Sequence, residues 1–360
     1  MKPFDYLLTG GRVLDGTGSA ARVADVAVRG DEIAAVGSLD PAQARRVLDV
    51  HDCFVTPGFI DTHSHSDAYI LIEPSAASKI HQGVTTEITG QCGASAAPLR
   101  GDYKMPSDWR SMTFPGSWST LEEYAALLQA RRPALNIATL TGHNTLRAGV
   151  MGYTPRASGA VEQTAMNELL RESLAAGSRG LSTGLLYPPG KHAEEQEVHE
   201  LARIVAEAGG VYATHMRSEG DYLLEALAET LQVARETGVR LQISHLKTSG
   251  SANWILLEEA LDLIVEAQQE GLQVMADRYP YTAACTDLDV LLPDWVFAEG
   301  PARELEYLRD PATRERIRRE TLSARDESYW SSVHVGSTWH PEHRAFKGRP
   351  LKTFSNLRRV

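Results

Sequence analysis

The sequence predicts an α/β fold, a (β/α)8 TIM-type barrel of parallel strands with half of a small β-sandwich ahead of it. Three observations carry this expectation. From residue 58 onward, short apolar or β-branched runs alternate with amphipathic helical stretches. The residues capable of chemistry gather at the C-terminal ends of those runs, where barrel enzymes keep their sites. Residues 1–57 hold only short β-type runs, DYLLTGGRVL, ADVAVRG, DEIAAVG and RRVLDV, separated by Gly and Asp turn residues. A length of 360 residues with 42% hydrophobic content suits one large α/β domain with a small appendage.

Taken in order, the strand candidates of residues 58–360 are GFIDTH, VTTEITG, LNIATLTG, RGLSTGL, GVYATHM, RLQISHL and LQVMADRYP. Between them lie the helix candidates SAASKIHQG, TLEEYAALLQARR, VEQTAMNELLRESLAAG, EEQEVHELARIVAEAGG, EGDYLLEALAETLQVARETG and NWILLEEALDLIVEAQQEG. Each carries apolar residues at helical spacing, and several close on Gly. Residues 286–330, with the charge-rich PARELEYLRDPATRERIRRETLSARDESYW, break the alternation and read as a helical insertion over one barrel mouth. A candidate short strand, SSVHVGS, follows it, and TWHPEH is a candidate piece of pocket wall.

Charge and composition narrow the function classes. With 47 acidic and 36 basic residues the net charge is -11, which repels nucleic acid and anionic lipid. No apolar stretch approaches the eighteen or so residues of a membrane span, and the start has no signal-like core. Three widely spaced cysteines, Cys53, Cys92 and Cys285, make a disulfide framework improbable. The expectation is a cytoplasmic protein acting on a small molecule, with its oligomeric state open.

The chemistry concentrates in five residues. His63 and His65, in GFIDTHSHSD, are expected to end the first barrel strand, with their imidazoles on one face as i and i+2 positions of a strand would be. Cys92 follows the second strand, His215 ends the fifth and His245 the sixth. Imidazole and thiolate are the ligands zinc prefers, and a catalytic site takes about three with one position left for water. Alone, each residue is ordinary; five at one end of four strands point to a metal site. His81, His143, His192, His199, His334, His340 and His343 lack this placement and are read as structural.

GFIDTHSHSD, GVTTEITGQCGAS, GHNTLRAG, GLSTGLLYPPG, THMRSEG, ISHLKTSG and RYPYTA together resemble the amidohydrolase superfamily, and within it the D-aminoacylase or N-acyl-D-amino-acid deacylase family. The resemblance runs from the first strands to about residue 290. It implies a tightly held zinc on Cys92, His215 and His245, and a second position at His63 and His65 that binds metal weakly or stays empty. It implies hydrolysis of the linear amide of an N-acyl-D-amino acid, whose free carboxylate would meet Lys247 and Tyr279. Cys285 stands where relatives tend to carry a serine. Strand four, GLSTGL, offers no lysine to bridge two metals.

The family's catalytic aspartate follows an eighth strand, and the resemblance finds neither up to Val360. The expectation is therefore a chain shortened at its C-terminus, with that aspartate lying beyond Val360 and little hydrolysis from these 360 residues alone. A cyclic-amide hydrolase of the hydantoinase or dihydroorotase kind is one alternative, and a non-catalytic zinc-binding fragment completed by a second chain is another.

Overall fold

The computed structural model describes residues 2–103, 105–110, 112–297, 300–325, 327–336, 338 and 341–351. These divide into two compact units, residues 1–60 with 78–86, and residues 61–77 with 87–360.

The first unit is built on β1 (Phe4–Val13), β2 (Arg22–Arg29), β3 (Glu32–Gly37), β4 (Ala44–Asp49) and β5 (Phe54–Val55). The sheet runs β3-β2-β1-β4, with β5 pairing the far end of β1. The β1–β2 and β2–β3 pairs are antiparallel, while β4 and β5 run parallel to β1. The β1–β2 register slips between Leu8 and Gly11. Asp25 pins the irregularity: one oxygen accepts the Gly10 N–H at 2.9 Å, the other the Leu39 N–H at 3.0 Å. Leu7, Ala27 and Ala44 form its small buried core.

The remaining strands are β6 (Phe59–Asp61), β7 (Val84–Thr89), β8 (Asn136–Thr139), β9 (Thr141–Gly142), β10 (Gly180–Gly184), β11 (Val211–His215), β12 (Arg240–Ile243) and β13 (Val274–Ala276). All seven runs singled out in the sequence form strands, the third broken at Leu140 into β8 and β9. Among the described residues they make two sheets, β6-β7-β8 and β13-β12-β11-β10-β9, rather than one closed ring. Every pair from β9 to β13 is parallel.

Parallel neighbours require long crossovers, and helices Ala160–Ala175, Glu195–Glu207, Leu223–Thr237 and Leu257–Gln269 supply them in sequence order. Their apolar stripes explain the packing. Val198, Leu201, Ala202 and Val205 sit at i, i+3, i+4 and i+7 and are all buried. They join Leu181, Tyr212, Leu241 and Val274 from the strands in one core. A second cluster around Trp109, Trp118 and Tyr124 packs the helix Leu121–Arg131. That helix begins with a capping box, Thr120 and Glu123 each accepting the other's backbone N–H.

Three local expectations change. GHNTLRAG, read only as a motif, opens the helix His143–Met151, while SAASKIHQG forms a helix over Ala77–Ile80 alone. SSVHVGS yields a single bridge, His334 to Pro350, and not a strand; its Ser337 lies outside the described residues. So do His340, part of TWHPEH, and the terminal SNLRRV. The insertion is helical, with Pro301–Arg309 and Pro311–Ser323 both starting on proline and Asp310 accepting the Thr313 N–H at 2.8 Å. Among the described residues no helix is long and apolar enough to cross a membrane.

Candidate metal centre

His215 closes β11 itself, while the other candidate ligands lie in the turns beyond their strands. β6 stops at Asp61 and β12 at Ile243, so His63, His65 and His245 are loop residues. The two-residue periodicity of a strand is therefore not what brings His63 and His65 together. Turn contacts do: Asp61 Oδ1 accepts the His63 N–H at 3.2 Å, the Ser64 N–H reaches Ile88 O at 3.0 Å, and Gln91 Nε2 donates to Thr62 O at 2.9 Å. The ring centroids end 5.3 Å apart.

Cys92 sits in a turn with φ +53° and His245 in one with φ +38°. Left-handed backbone at a non-glycine residue costs on the order of 1–2 kcal/mol, and it persists only where the surroundings impose it. They do so here. Ser182 of β10 accepts the Gly93 N–H at 3.0 Å and donates to Gly90 O, so it ties both sides of the Cys92 turn. The Gly93 carbonyl accepts the Thr145 N–H at 3.1 Å. Gly184 allows the closest approach: a Cβ there would stand 2.1 Å from the Cys92 carbonyl oxygen. At the other turn, Asp277 Oδ1 accepts the His245 N–H at 2.6 Å.

These turns and the end of β11 aim ligand atoms at one place. Cys92, His215 and His245 form a group whose donor atoms all lie within 4.8 Å of one another, and His63, His65 and Cys92 form a second such group. Cys92 Sγ is 3.3 Å from His245 Nε2 and 3.4 Å from His63 Nε2. A sulfur and a nitrogen bound tetrahedrally to one zinc would stand roughly 3.5 Å apart.

The donor set fits a cation. Neither ring nitrogen of buried His215 has a hydrogen-bond partner among the described residues, and Glu219 Oε2 stays 3.8 Å from its Nε2. An imidazole buried without partners is costly unless something else takes its lone pair. Burial holds His215 down at about 3 against the pull of Glu219, so the ring is neutral, the form that ligates. Burial also pushes the half-buried Cys92 thiol far up, with the charges of Glu219 and Asp277 adding to it and Lys247 opposing. A thiolate at this position needs a cation beside it, and a coordinated metal supplies one.

Two carboxylates frame the cluster, and sequence reasoning passed over both. Glu219 is buried, with Oε1 2.6 Å from His245 Nδ1 and Oε2 2.5 Å from Lys247 Nζ. Burial alone would raise its pKa, yet the His245 hydrogen bond and the neighbouring His215 and Lys247 hold it at about 2. Asp277, directly after β13, also lies 3.3 Å from His63 Nδ1 and accepts from Gln242 Nε2 at 2.9 Å. Burial opposes its charge, and His63, the His245 N–H and Gln242 together keep it below the ordinary carboxylate range. A signal for each was present: Glu219 stands four residues past His215, and Asp277 ends a strand at the end where chemistry was expected.

Of the two residues expected to meet a substrate carboxylate, Lys247 adjoins the cluster but is already bound to Glu219 and to the His245 carbonyl at 3.2 Å. Half-buried Tyr279 presents its ring 5.8 Å from Lys247 Nζ and carries the Arg278 guanidinium 4.1 Å from its centroid. Two histidines set aside as structural have carboxylate partners: His143 Nε2 is 2.7 Å from Glu197, and His199 Nδ1 is 2.7 Å from Glu236.

The sequence matches the amidohydrolase family over residues 46–290. The chain belongs to the amidohydrolase family. Its kin within that family are D-aminoacylases and N-acyl-D-amino-acid deacylases. It is 43% identical over 288 residues to a D-aminoacylase of Alcaligenes xylosoxydans xylosoxydans, covering 80% of this chain and 59% of that protein. A crystal structure of a D-aminoacylase superposes with a TM-score of 0.80 at 38% identity, covering 99% of this chain and 68% of the other. The N-acyl-D-glutamate deacylase of Bordetella bronchiseptica, solved with zinc and a phosphonate mimic of the tetrahedral intermediate, gives a TM-score of 0.73 at 38% identity, over 77% of this chain and 59% of that one. The chain thus spans about three fifths of the length of the D-aminoacylase it matches.

Proposed function

We propose that this chain carries the zinc site of an enzyme that hydrolyses the linear amide of N-acyl-D-amino acids, releasing a carboxylate and a free D-amino acid. The observation that carries the reading is the convergence of Cys92, His215 and His245, from three different strand ends, on one point. The similarity to a D-aminoacylase and to a zinc-bound deacylase supports the metal and the substrate class. In this reading the strands belong to a (β/α)8 barrel, residues 1–57 to half of a β-sandwich and residues 58–360 to the barrel with its insertion at about 286–330; the TM-score of 0.80 to a D-aminoacylase supports that architecture.

Zinc held by Cys92, His215 and His245 would supply an activated water and polarise the acyl carbonyl. Cys92 contributes the anion that selects zinc, and the two imidazoles complete three protein ligands with a position left over. His63 and His65, which share Cys92 with the first group, form a second position that holds metal weakly or not at all. Lys247 and Tyr279 orient the substrate by its free carboxylate, Lys247 by charge and Tyr279 as a hydroxyl donor.

The test is hydrolysis of a panel of N-acetyl-D- and N-acetyl-L-amino acids, with a hydantoin as control, by the product of the complete gene loaded with zinc. Turnover confined to the D series supports the reading. Opening of the hydantoin with two equally held metals would instead establish a cyclic-amide hydrolase.

A further inference from the structure

Glu219 reaches this cluster from the loop after β11, four residues beyond His215, and its two oxygens have different partners. Oε1 is 2.6 Å from His245 Nδ1, and Oε2 is 2.5 Å from Lys247 Nζ. A carboxylate can only accept, so an imidazole that ligates through Nε2 carries its proton on Nδ1, the nitrogen that faces Glu219. That leaves the Nε2 lone pair of His245 directed at the ligand cluster, 3.3 Å from Cys92 Sγ. Lys247 Nζ bonds Glu219, bonds the His245 carbonyl at 3.2 Å and also lies 3.0 Å from His245 Nδ1, so the ammonium and the Glu219 carboxylate compete for that nitrogen. His245 and Lys247 lie two residues apart in a turn of left-handed backbone, where no strand geometry fixes their directions.

We propose that Glu219 is a positioning residue that sets the tautomer and direction of His245 for metal binding and holds Lys247 beside it. The inference deepens the zinc reading above and rests on it. A carboxylate behind a ligating imidazole typically contributes 10–100-fold in metal affinity, because it fixes the ring and raises its basicity.

The experiment measures zinc dissociation constants of the full chain by chelator competition, with the cobalt-substituted protein as a second readout. Glu219→Gln is expected to weaken zinc by about 10–100-fold and to alter the thiolate-to-cobalt absorption, which a residue that merely filled space would not move. Lys247→Met keeps the Glu219–His245 contact and should stay within about threefold of wild type in zinc affinity. If Glu219→Gln does not fold, Glu219→Asp, which keeps the charge but draws it back from the ring, must still lose affinity. Wild type that takes up no zinc overturns the zinc reading and the inference together. Wild type that binds tightly while Glu219→Gln matches it, or an equal loss from Lys247→Met, overturns the inference alone.

Discussion

Replacing Glu197 with glutamine tests whether the floor beneath the candidate centre is held electrostatically. Glu197 lies on the helix Glu195–Glu207 and meets His143 and Arg147 of the helix His143–Met151, all three side chains at most 3% exposed. The same short helix carries Asn144, whose amide donates to the Gly184 carbonyl at 3.2 Å, and Thr145, which takes the Gly93 carbonyl. The network therefore anchors the segment against which the Cys92 turn is built. Burial works against the Glu197 charge, but His143 and Arg147 hold it at about 2, against an ordinary 4.5. That shift corresponds to about 3 kcal/mol at neutral pH. Removing one partner of a buried ion pair costs roughly 3–5 kcal/mol by the same logic, since the Arg147 guanidinium is left uncompensated. The two estimates agree.

The sign fixes the pH window. A depressed carboxylate contributes fully above its unfolded value near 4.5 and loses that contribution as pH falls toward 2. In urea unfolding followed by circular dichroism, Glu197→Gln should be about 3 kcal/mol less stable than wild type at pH 7, and the gap should shrink to about 1 kcal/mol at pH 3. A gap under about 1 kcal/mol at pH 7, or one unchanged between the two pH values, would refute the reasoning.

Two further perturbations read other parts of the scaffold. Gly184→Ala places a Cβ 2.1 Å from the Cys92 carbonyl oxygen, so the turn must move. Overpacking of this kind costs about 1–3 kcal/mol, and zinc affinity should fall with it; a variant with wild-type zinc affinity would show the approach to be dispensable. Thr120→Ala removes the cap of the helix Leu121–Arg131 and should lower stability by about 1 kcal/mol without touching zinc affinity. A matching loss of zinc would mean that helix is coupled to the centre.

Much of the architecture was legible because it follows from periodicity. Val198, Leu201 and Val205 declare a helix by spacing, and runs such as RLQISHL declare a buried parallel strand by length and β-branching. His215 was legible as a candidate because it closes β11 itself. The helix His143–Met151 escaped because its buried face carries His143, Asn144, Thr145 and Arg147, polar residues that a hydrophobic pattern cannot count. Glu219 and Asp277 escaped for a related reason: a carboxylate in a chain with 47 acidic residues is unremarked until its burial is known. The left-handed turns at Cys92 and His245 were hidden too, since neither position is a glycine. At the break of the third strand the Leu140 N–H bonds Thr89 O, a long-range contact with no local sequence signature.

The central claim is that Cys92, His215 and His245 together hold the metal, and zinc content per folded chain tests it most directly. Elemental analysis of wild type, of a Cys92→Ala, His215→Ala, His245→Ala triple variant and of a His63→Ala, His65→Ala double variant, each dialysed against a weak chelator, separates the two groups of ligands. About one zinc per chain is expected in wild type and in the double variant, and almost none in the triple variant. Zinc retained undiminished by the triple variant would contradict it.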